Sequence, residues 1–181
     1  MSLEKNAHPY DLLQEMDAVC IQMADTFPSE IKVTEYWKGI GFILGGTKYI
    51  TPWNEVAEIQ SLPPLTRVPG AKDWVKGVAN VRGTLLPVMD LNVFFGYRTR
   101  NLRKQRLLVV KHDGIYSGLI VDEVLGAMNF EEFEEMKALP NVDDKVSPFL
   151  SGGFSKQDNE WPIFSLHALA EYPDFRTVTR Q

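Results

Sequence analysis

Three histidines and one cysteine are the side chains of this sequence best suited to metal binding or nucleophilic catalysis. They are His8, His112, His167 and Cys20. A metal site needs several such ligands at short recurring spacings, and none of these residues has that spacing with another ligand. Cys20 lies on the apolar side of a predicted helix, where a thiol is a small, unreactive hydrophobe. The sequence therefore predicts no metal site and no nucleophile.

Two further segments have residue types that can bind metals or phosphates. Residues 131–136 (EEFEEM) hold four carboxylates, but carboxylates on a short exposed segment repel one another and are solvated. Residues 45–48 (GGTK) lack the residue order of a phosphate-binding loop and fit a hairpin turn. We predict that the protein is not an enzyme and uses no cofactor. An enzyme whose residues meet only in the folded chain is the third alternative.

The composition is that of an acidic globular protein. The chain has 181 residues, of which 44% are hydrophobic and 24% are charged, and its formal net charge is −5. This length suits one domain, and the negative charge disfavours nucleic-acid binding because phosphates would be repelled. The basic residues between positions 98 and 106 lack interleaved aromatic residues. They are interpreted as a solvated linker between two β-rich halves.

The expected location is the cytoplasm. The sequence has no apolar stretch long enough to span a bilayer, so no direct membrane insertion is expected. It also lacks the cationic start and apolar run of a secretion signal. A single cysteine cannot form an internal disulfide, which agrees with a reducing compartment.

Residues 74–96 (WVKGVANVRGTLLPVMDLNVFFG) have the pattern of a strand, a tight turn, a second strand and a short helix. Arg82-Gly83 has turn chemistry, and apolar runs lie on both sides of it. Asp90 is the predicted N-cap because its carboxylate can accept a hydrogen bond from an unpaired amide of the first helical turn.

The pattern occurs twice along the chain. Residues 86–95 align without gaps to residues 161–170, with proline, leucine and the capping residue, Asp90 or Ser165, in register. Hairpins are predicted at Gly45-Gly46 and around Asp113-Gly114, and each leads to a Glu-Val step. Repeated hairpins with only brief helices predict an all-β architecture of two related units.

An amphipathic helix is predicted over residues 9–26. Apolar residues recur there at helical spacing, and Pro28 ends the pattern. Such an apolar stripe packs either on the protein's own core or on a partner, and we favour the protein's own core.

The motifs of residues 68–124 closely resemble those of the CheW family, the coupling proteins that join chemoreceptors to a histidine kinase. The matching segments are Gly77-Val78, Asn80-Val81-Arg82-Gly83, Pro87-Val88, Asp90-Leu91, Phe95-Gly96, Val68-Pro69-Gly70 and residues 118–124. Several ordered motifs are far more specific than any one of them. The resemblance covers roughly residues 36–172, and the length and N-terminal segment resemble the PilI branch of type IV pilus chemosensory systems.

This resemblance implies a fold and a function. The fold is mainly β: two SH3-like five-stranded barrel lobes in one CheW-like domain (residues 35–172), between an N-terminal helical extension (1–34) and a C-terminal tail (173–181). The function is a non-catalytic adaptor in chemotaxis or twitching signal transduction, found at receptor arrays on the inner face of the membrane. Its implied partners are the regulatory domain of a CheA-type histidine kinase and the cytoplasmic tip of a methyl-accepting chemoreceptor. The alternative is a β-barrel interaction module of another signalling pathway.

The resemblance places receptor contacts on Val56, Glu58, Ile59 and Arg82. Arg82 has the profile of an interface hot spot, since its guanidinium can bind carbonyls or a carboxylate while its stem covers apolar surface. The alternative for Arg82 is an internal salt bridge that holds the turn. For Val56 and Ile59, the alternative to receptor contact is core packing.

The implied kinase contacts are Asn80, Asn92, Val93 and Phe94. Family members often carry charges after the Asp-Leu pair, whereas this chain has Asn92-Val93-Phe94-Phe95. If Val93 or Phe94 is exposed, it forms an apolar patch suited to a partner. If these residues are buried, the assignment fails there.

Overall fold

The computed structural model describes residues 10, 13–14, 16–19, 36–98, 101–131, 142–156 and 159–179. The chain divides into two units, Met1–Thr34 and Glu35–Gln181. The described residues of the first unit are helical. The rest of the helix predicted over residues 9–26, His8, Cys20 and most of the acidic segment 131–136 lie outside the described residues. Within this unit, Leu13, Met16 and Val19 are exposed.

The described residues of the second unit form ten strands in two five-stranded sheets. Sheet A has the order β8-β1-β2-β10-β9, with β1 Trp37–Leu44, β2 Thr47–Pro52, β8 Glu123–Phe130, β9 Leu150–Lys156 and β10 Asn159–Phe164. Sheet B has the order β3-β6-β7-β5-β4, with β3 Glu58–Ser61, β4 Val75–Val81, β5 Thr84–Asp90, β6 Arg106–His112 and β7 Ile115–Val121. The helices are short: α1 Leu91–Phe95, α2 Leu166–Glu171 and α3 Pro173–Arg176. The predicted mainly β, two-lobed fold is confirmed.

Each of the two sequence repeats, β1–β5 and β6–β10, contributes strands to both sheets. Strand β5 of the first repeat pairs in parallel with β7 of the second repeat, and β10 of the second repeat pairs in parallel with β2 of the first. Sheet B is therefore formed by one continuous segment, residues 58–121. In the sequence, this segment lies between strands β1–β2 and strands β8–β10 of sheet A. In the sequence, the basic segment 98–106 falls between β5 and β6, which are both strands of sheet B, and its residues 99 and 100 lie outside the described residues. The chain crosses between the lobes at Val56-Ala57 and at Asp122.

The three predicted turns are confirmed, and each has positive φ at both central residues. These φ values are 60° and 88° at Gly45-Gly46, 48° and 84° at Arg82-Gly83, and 45° and 76° at Asp113-Gly114. Turns of this kind match the twist of the strands that they connect. Gly77 in β4 has a φ of 142°, and a Cβ atom there would overlap the Thr66 carbonyl oxygen. This close approach requires glycine.

Each lobe has its own small core, and the largest apolar cluster contains residues of both sheets. Val88, Leu107 and Ile120 belong to the core of sheet B, and Phe130 and Trp161 to that of sheet A. The largest cluster draws on both sheets and on all three helices; its members include Phe42, Tyr49, Leu91, Leu108, Leu119, Phe164, Leu166 and Phe175. Burial between lobes therefore stabilises the pair as one body.

The expected C-terminal tail contributes to this core. Phe175 is 3% exposed, and its ring stacks on Trp74 with centroids 5.2 Å apart. Thr179 forms an isolated bridge with Ala71. Residues 173–179 therefore pack on the two-sheet body of the protein.

Candidate interaction surfaces

Both predicted helix caps are present, and they set the directions of α1 and α2. Asp90 Oδ1 accepts hydrogen bonds from the backbone N–H groups of Asn92 (3.0 Å) and Val93 (3.3 Å). Ser165 Oγ accepts one from the N–H of Ala168 at 3.1 Å. These bonds satisfy amides that the first turn of a helix leaves unpaired.

At each of the two places where the chain crosses between the lobes, a buried acidic residue is hydrogen-bonded to a helix that is distant in the sequence. The carboxylate of Glu55 accepts hydrogen bonds from the N–H groups of Leu166 and His167, and from Ser165 Oγ at 3.0 Å. At the other passage, Asp122 Oδ1 accepts a hydrogen bond from Asn92 Nδ2 at 2.9 Å. Their satisfied hydrogen bonds indicate structural roles. Sequence reasoning noted the Glu-Val steps but not these partners, which lie 111 and 30 residues away.

The structure corrects the kinase-contact prediction at Asn92. This side chain is 0% exposed. Its Oδ1 accepts a hydrogen bond from the N–H of Gly45 at 3.1 Å, while its Nδ2 binds Asp122. An amide held on both sides inside the protein cannot contact a partner.

Val93 and Phe94 also fail to form a bare apolar patch. Both are half-buried against the largest core cluster. The Phe94 ring lies edge-on to Trp74, with centroids 5.3 Å apart, and to Phe175, with centroids 5.1 Å apart. Much of their apolar surface is buried within the domain. Of the four predicted kinase contacts, Asn80 is the one that is exposed.

Arg82 and Glu58 of the predicted receptor set are in contact. Arg82 Nε lies 3.2 Å from Glu58 Oε1, and the Arg82 side chain is 80% exposed. An ion pair this exposed adds little stability. The turn itself is held by the N–H of Gly83, which donates to Asn80 Oδ1 at 2.8 Å. The predicted internal salt bridge therefore exists but leaves most of the guanidinium open to solvent.

The other two predicted receptor residues differ from each other. Ile59 is 39% exposed beside Glu58, whereas Val56 packs against the largest core cluster. Core packing was the alternative interpretation for both residues, and it holds for Val56.

Leu85 is a surface residue that sequence reasoning missed. It is 71% exposed and lies opposite Asn80 across the β4–β5 hairpin, whereas its neighbour Leu86 is buried. Strand alternation requires one of two adjacent leucines to face outward, but that pattern alone does not identify which one. We define the hairpin tip as Asn80, Arg82 and Leu85.

The histidines form a pair that spacing did not predict. The rings of His112 and His167 stack with centroids 3.9 Å apart. His112 Nε2 lies 2.8 Å from Glu171 Oε1, and this hydrogen bond lowers the pKa of the Glu171 carboxyl below its ordinary value. Among the described residues, no three acidic, histidine or cysteine side chains are placed to hold a metal ion. In the same part of the chain, no helix has the length and apolar character needed to cross a membrane.

Comparison with known proteins agrees with the motif resemblance. The family model described as "CheW-like domain" matches residues 38–173. Protein PilI of Pseudomonas aeruginosa is 43% identical over 171 residues, which cover 94% of this chain and 96% of that protein. Chemotaxis protein CheW of Helicobacter pylori is 31% identical over 121 residues, covering 66% of this chain and 72% of that one.

A solved structure extends this agreement to the fold. The crystal structure of scaffolding protein TtCheW from Thermoanaerobacter tengcongensis matches with a TM-score of 0.67 and 28% identity, covering 77% of this chain and 95% of that chain. The matched sequence motifs, the paired five-stranded sheets and the family model agree, and the chain belongs to the CheW family of scaffolding and coupling proteins.

Proposed function

We propose that this protein is a non-catalytic adaptor that couples the cytoplasmic tip of a methyl-accepting chemoreceptor to the regulatory domain of a CheA-type histidine kinase. The 43% identity to PilI over nearly the full length supports the type IV pilus branch. The supporting structural observation is the hairpin tip, where Arg82 and Leu85 are 80% and 71% exposed. The proposed location is the cytoplasm, at receptor arrays on the inner face of the membrane.

Receptor contact is assigned to Arg82, with Glu58 and Ile59 beside it. The ion pair with Glu58 involves the Nε group of Arg82, and 80% of the Arg82 side chain is exposed, so the guanidinium can also donate to carbonyls or a carboxylate of the receptor. Glu58 orients the guanidinium, and Ile59 offers apolar surface next to it. Such a combination of charge and apolar contact is typical of an interface anchor.

Kinase contact is assigned to the outer face of the β4–β5 hairpin. Asn80 and Leu85 are cross-strand neighbours, and the next pair, Ala79 and Leu86, faces the lobe core. An exposed leucine on a strand pair is a suitable anchor for the end of another β-barrel lobe.

An adaptor of this kind acts through binding free energy. Holding receptor and kinase on one CheW-like domain, residues 35–172, raises the effective concentration of each for the other. Receptor state then biases kinase conformation to the extent that the two binding events are coupled.

A three-component pull-down tests the proposal. The full chain is immobilised with purified kinase regulatory domain and receptor tip, and we expect it to retain each partner alone and both together. Failure to capture the kinase domain at physiological salt would contradict the adaptor function and favour the alternative, an interaction module of another signalling pathway.

A further inference from the structure

The segment between β3 and β4 encloses a basic pocket that the proposed adaptor contacts do not use. Its volume is about 370 Å³, and Arg67, Lys72 and Lys76 line it together with Asp73. Its apolar walls include Val68 and Val75.

Backbone hydrogen bonds fix this segment along its length. Thr66 and Val78 exchange two bonds of 2.9 and 2.8 Å. The N–H of Lys72 donates to the Val178 carbonyl at 3.0 Å, and the N–H of Asp90 donates to the Trp74 carbonyl at 2.7 Å. The pocket is therefore preorganised, which lowers the entropy cost of binding.

The charges of the pocket are only partly neutralised by the protein. Lys76 Nζ lies 3.6 Å from Asp90 Oδ2, the carboxylate that also caps α1. Arg67 is exposed and Lys72 is partly exposed, so a ligand in the pocket can reach both side chains. With Asp73 in the lining and Asp90 on Lys76, the three cations leave one net positive charge.

We propose that this pocket binds a carboxylate carried on a short apolar stem. A guanidinium and an ammonium group can share the two oxygens of a carboxylate, and such charge-assisted bonds are the stronger ones. One net positive charge matches a monoanion better than a phosphate dianion. Val68 and Val75 provide contact for the stem. The ligand is either a free small carboxylate or an acidic side chain of a protein segment, and neither case depends on the proposed adaptor function.

The test is titration of the isotopically labelled full chain, followed by amide chemical shifts in NMR spectra. The probes are sodium butyrate, the blocked peptide acetyl-Leu-Glu-Leu-amide and inorganic phosphate, each compared with sodium chloride at matched ionic strength. We expect saturable shifts at residues 67–76 with butyrate, with the peptide or with both. Tighter binding of the peptide assigns a protein source, and tighter binding of butyrate assigns a small molecule.

Two variants and a matched control connect the binding to the pocket. Arg67→Gln and Lys72→Gln should each weaken binding about tenfold or more. Lys111→Gln, which removes an exposed cation of β6, should leave binding unchanged, and thermal unfolding confirms that all three variants fold. The proposal is overturned if no carboxylate gives saturable shifts, if phosphate binds more tightly than both carboxylates, or if the two pocket variants bind as the wild type does.

Discussion

Glu55 caps the helix that begins at Leu166: its buried carboxylate accepts the hydrogen bond of the Leu166 N–H group, 111 residues later in the chain. A negative charge at a helix N-terminus is stabilised by the helix dipole. This contact joins the segment where the chain crosses between the lobes to α2, the short helix of the second repeat.

Replacing Glu55 should therefore destabilise the domain. In Glu55→Gln the carboxamide oxygen can still accept from the Leu166 and His167 N–H groups, but the negative charge at the helix N-terminus is lost, and we expect a loss of about 1 kcal/mol in the free energy of unfolding. Urea denaturation measures this loss. The control is Glu160→Gln at an exposed position, which should change stability by less than about 0.5 kcal/mol. Equal effects of the two substitutions would refute the capping role.

Arg82→Glu should strongly weaken receptor binding without unfolding the protein. Reversing the charge of an interface anchor should cost about 2 kcal/mol or more, about thirtyfold in Kd, measured by titration with the receptor tip. Because the Glu58 ion pair is solvent-exposed, stability should fall by no more than about 1 kcal/mol. Arg103→Glu, at an exposed position in the 101–106 segment, should bind normally. Unchanged affinity of Arg82→Glu would show that the receptor contact is wrong.

Leu85→Asp should weaken binding of the kinase regulatory domain. Losing a leucine anchor and burying a charge in its place should raise Kd about tenfold or more. The matched control is Leu102→Asp, because Leu102 is also highly exposed, at 75%, but lies away from the hairpin. If both variants bind the kinase domain equally, the hairpin face is not the kinase surface.

Gly77→Ala should destabilise the domain more than Gly114→Ala. Both glycines have positive φ, but a Cβ at Gly114 meets no atom within 4 Å, whereas a Cβ at Gly77 would overlap the Thr66 carbonyl. We expect a loss of about 1 kcal/mol at Gly114 and about 2 kcal/mol or more at Gly77. Chemical denaturation of the two variants separates backbone strain from steric overlap, and a smaller loss at Gly77 would contradict the close approach.

The contribution of Glu171 to stability should depend on pH. The hydrogen bond with His112 lowers the pKa of Glu171 in the folded protein. Its stabilising effect is therefore present above the ordinary carboxyl pKa and is lost as the pH falls through the lowered value. The stability difference between the wild type and Glu171→Gln should be largest near neutral pH and vanish in acid. A difference that stays constant over this range would exclude the linkage.

Local sequence chemistry predicted the features that depend on neighbouring residues. The caps at Asp90 and Ser165 and the turn at Arg82-Gly83 follow from side-chain preferences within a few positions. Five strands per lobe came from the family resemblance, which the matched family model and solved structure support.

Contacts between distant residues could not be predicted in the same way. Asn92 was assigned to the kinase-contact surface from the family resemblance, but it is buried and hydrogen-bonded to Asp122 and to the N–H of Gly45. Phe175 was placed in a tail, although it stacks on Trp74, about a hundred positions earlier. The strand exchange likewise depends on pairing across the whole chain.

The insertion of one lobe within the other imposes an order on folding during protein synthesis. The strands of sheet B are complete once residue 121 has left the ribosome, whereas sheet A requires residue 164. Strands β1 and β2 are synthesised first, but their partner strands β8 and β10 are synthesised later than all of sheet B. Phe42, Tyr49 and Ile50, which are buried in the folded protein, are unburied until then. The inner lobe therefore has the opportunity to fold first and to offer the nascent outer strands an apolar surface, which would limit their aggregation.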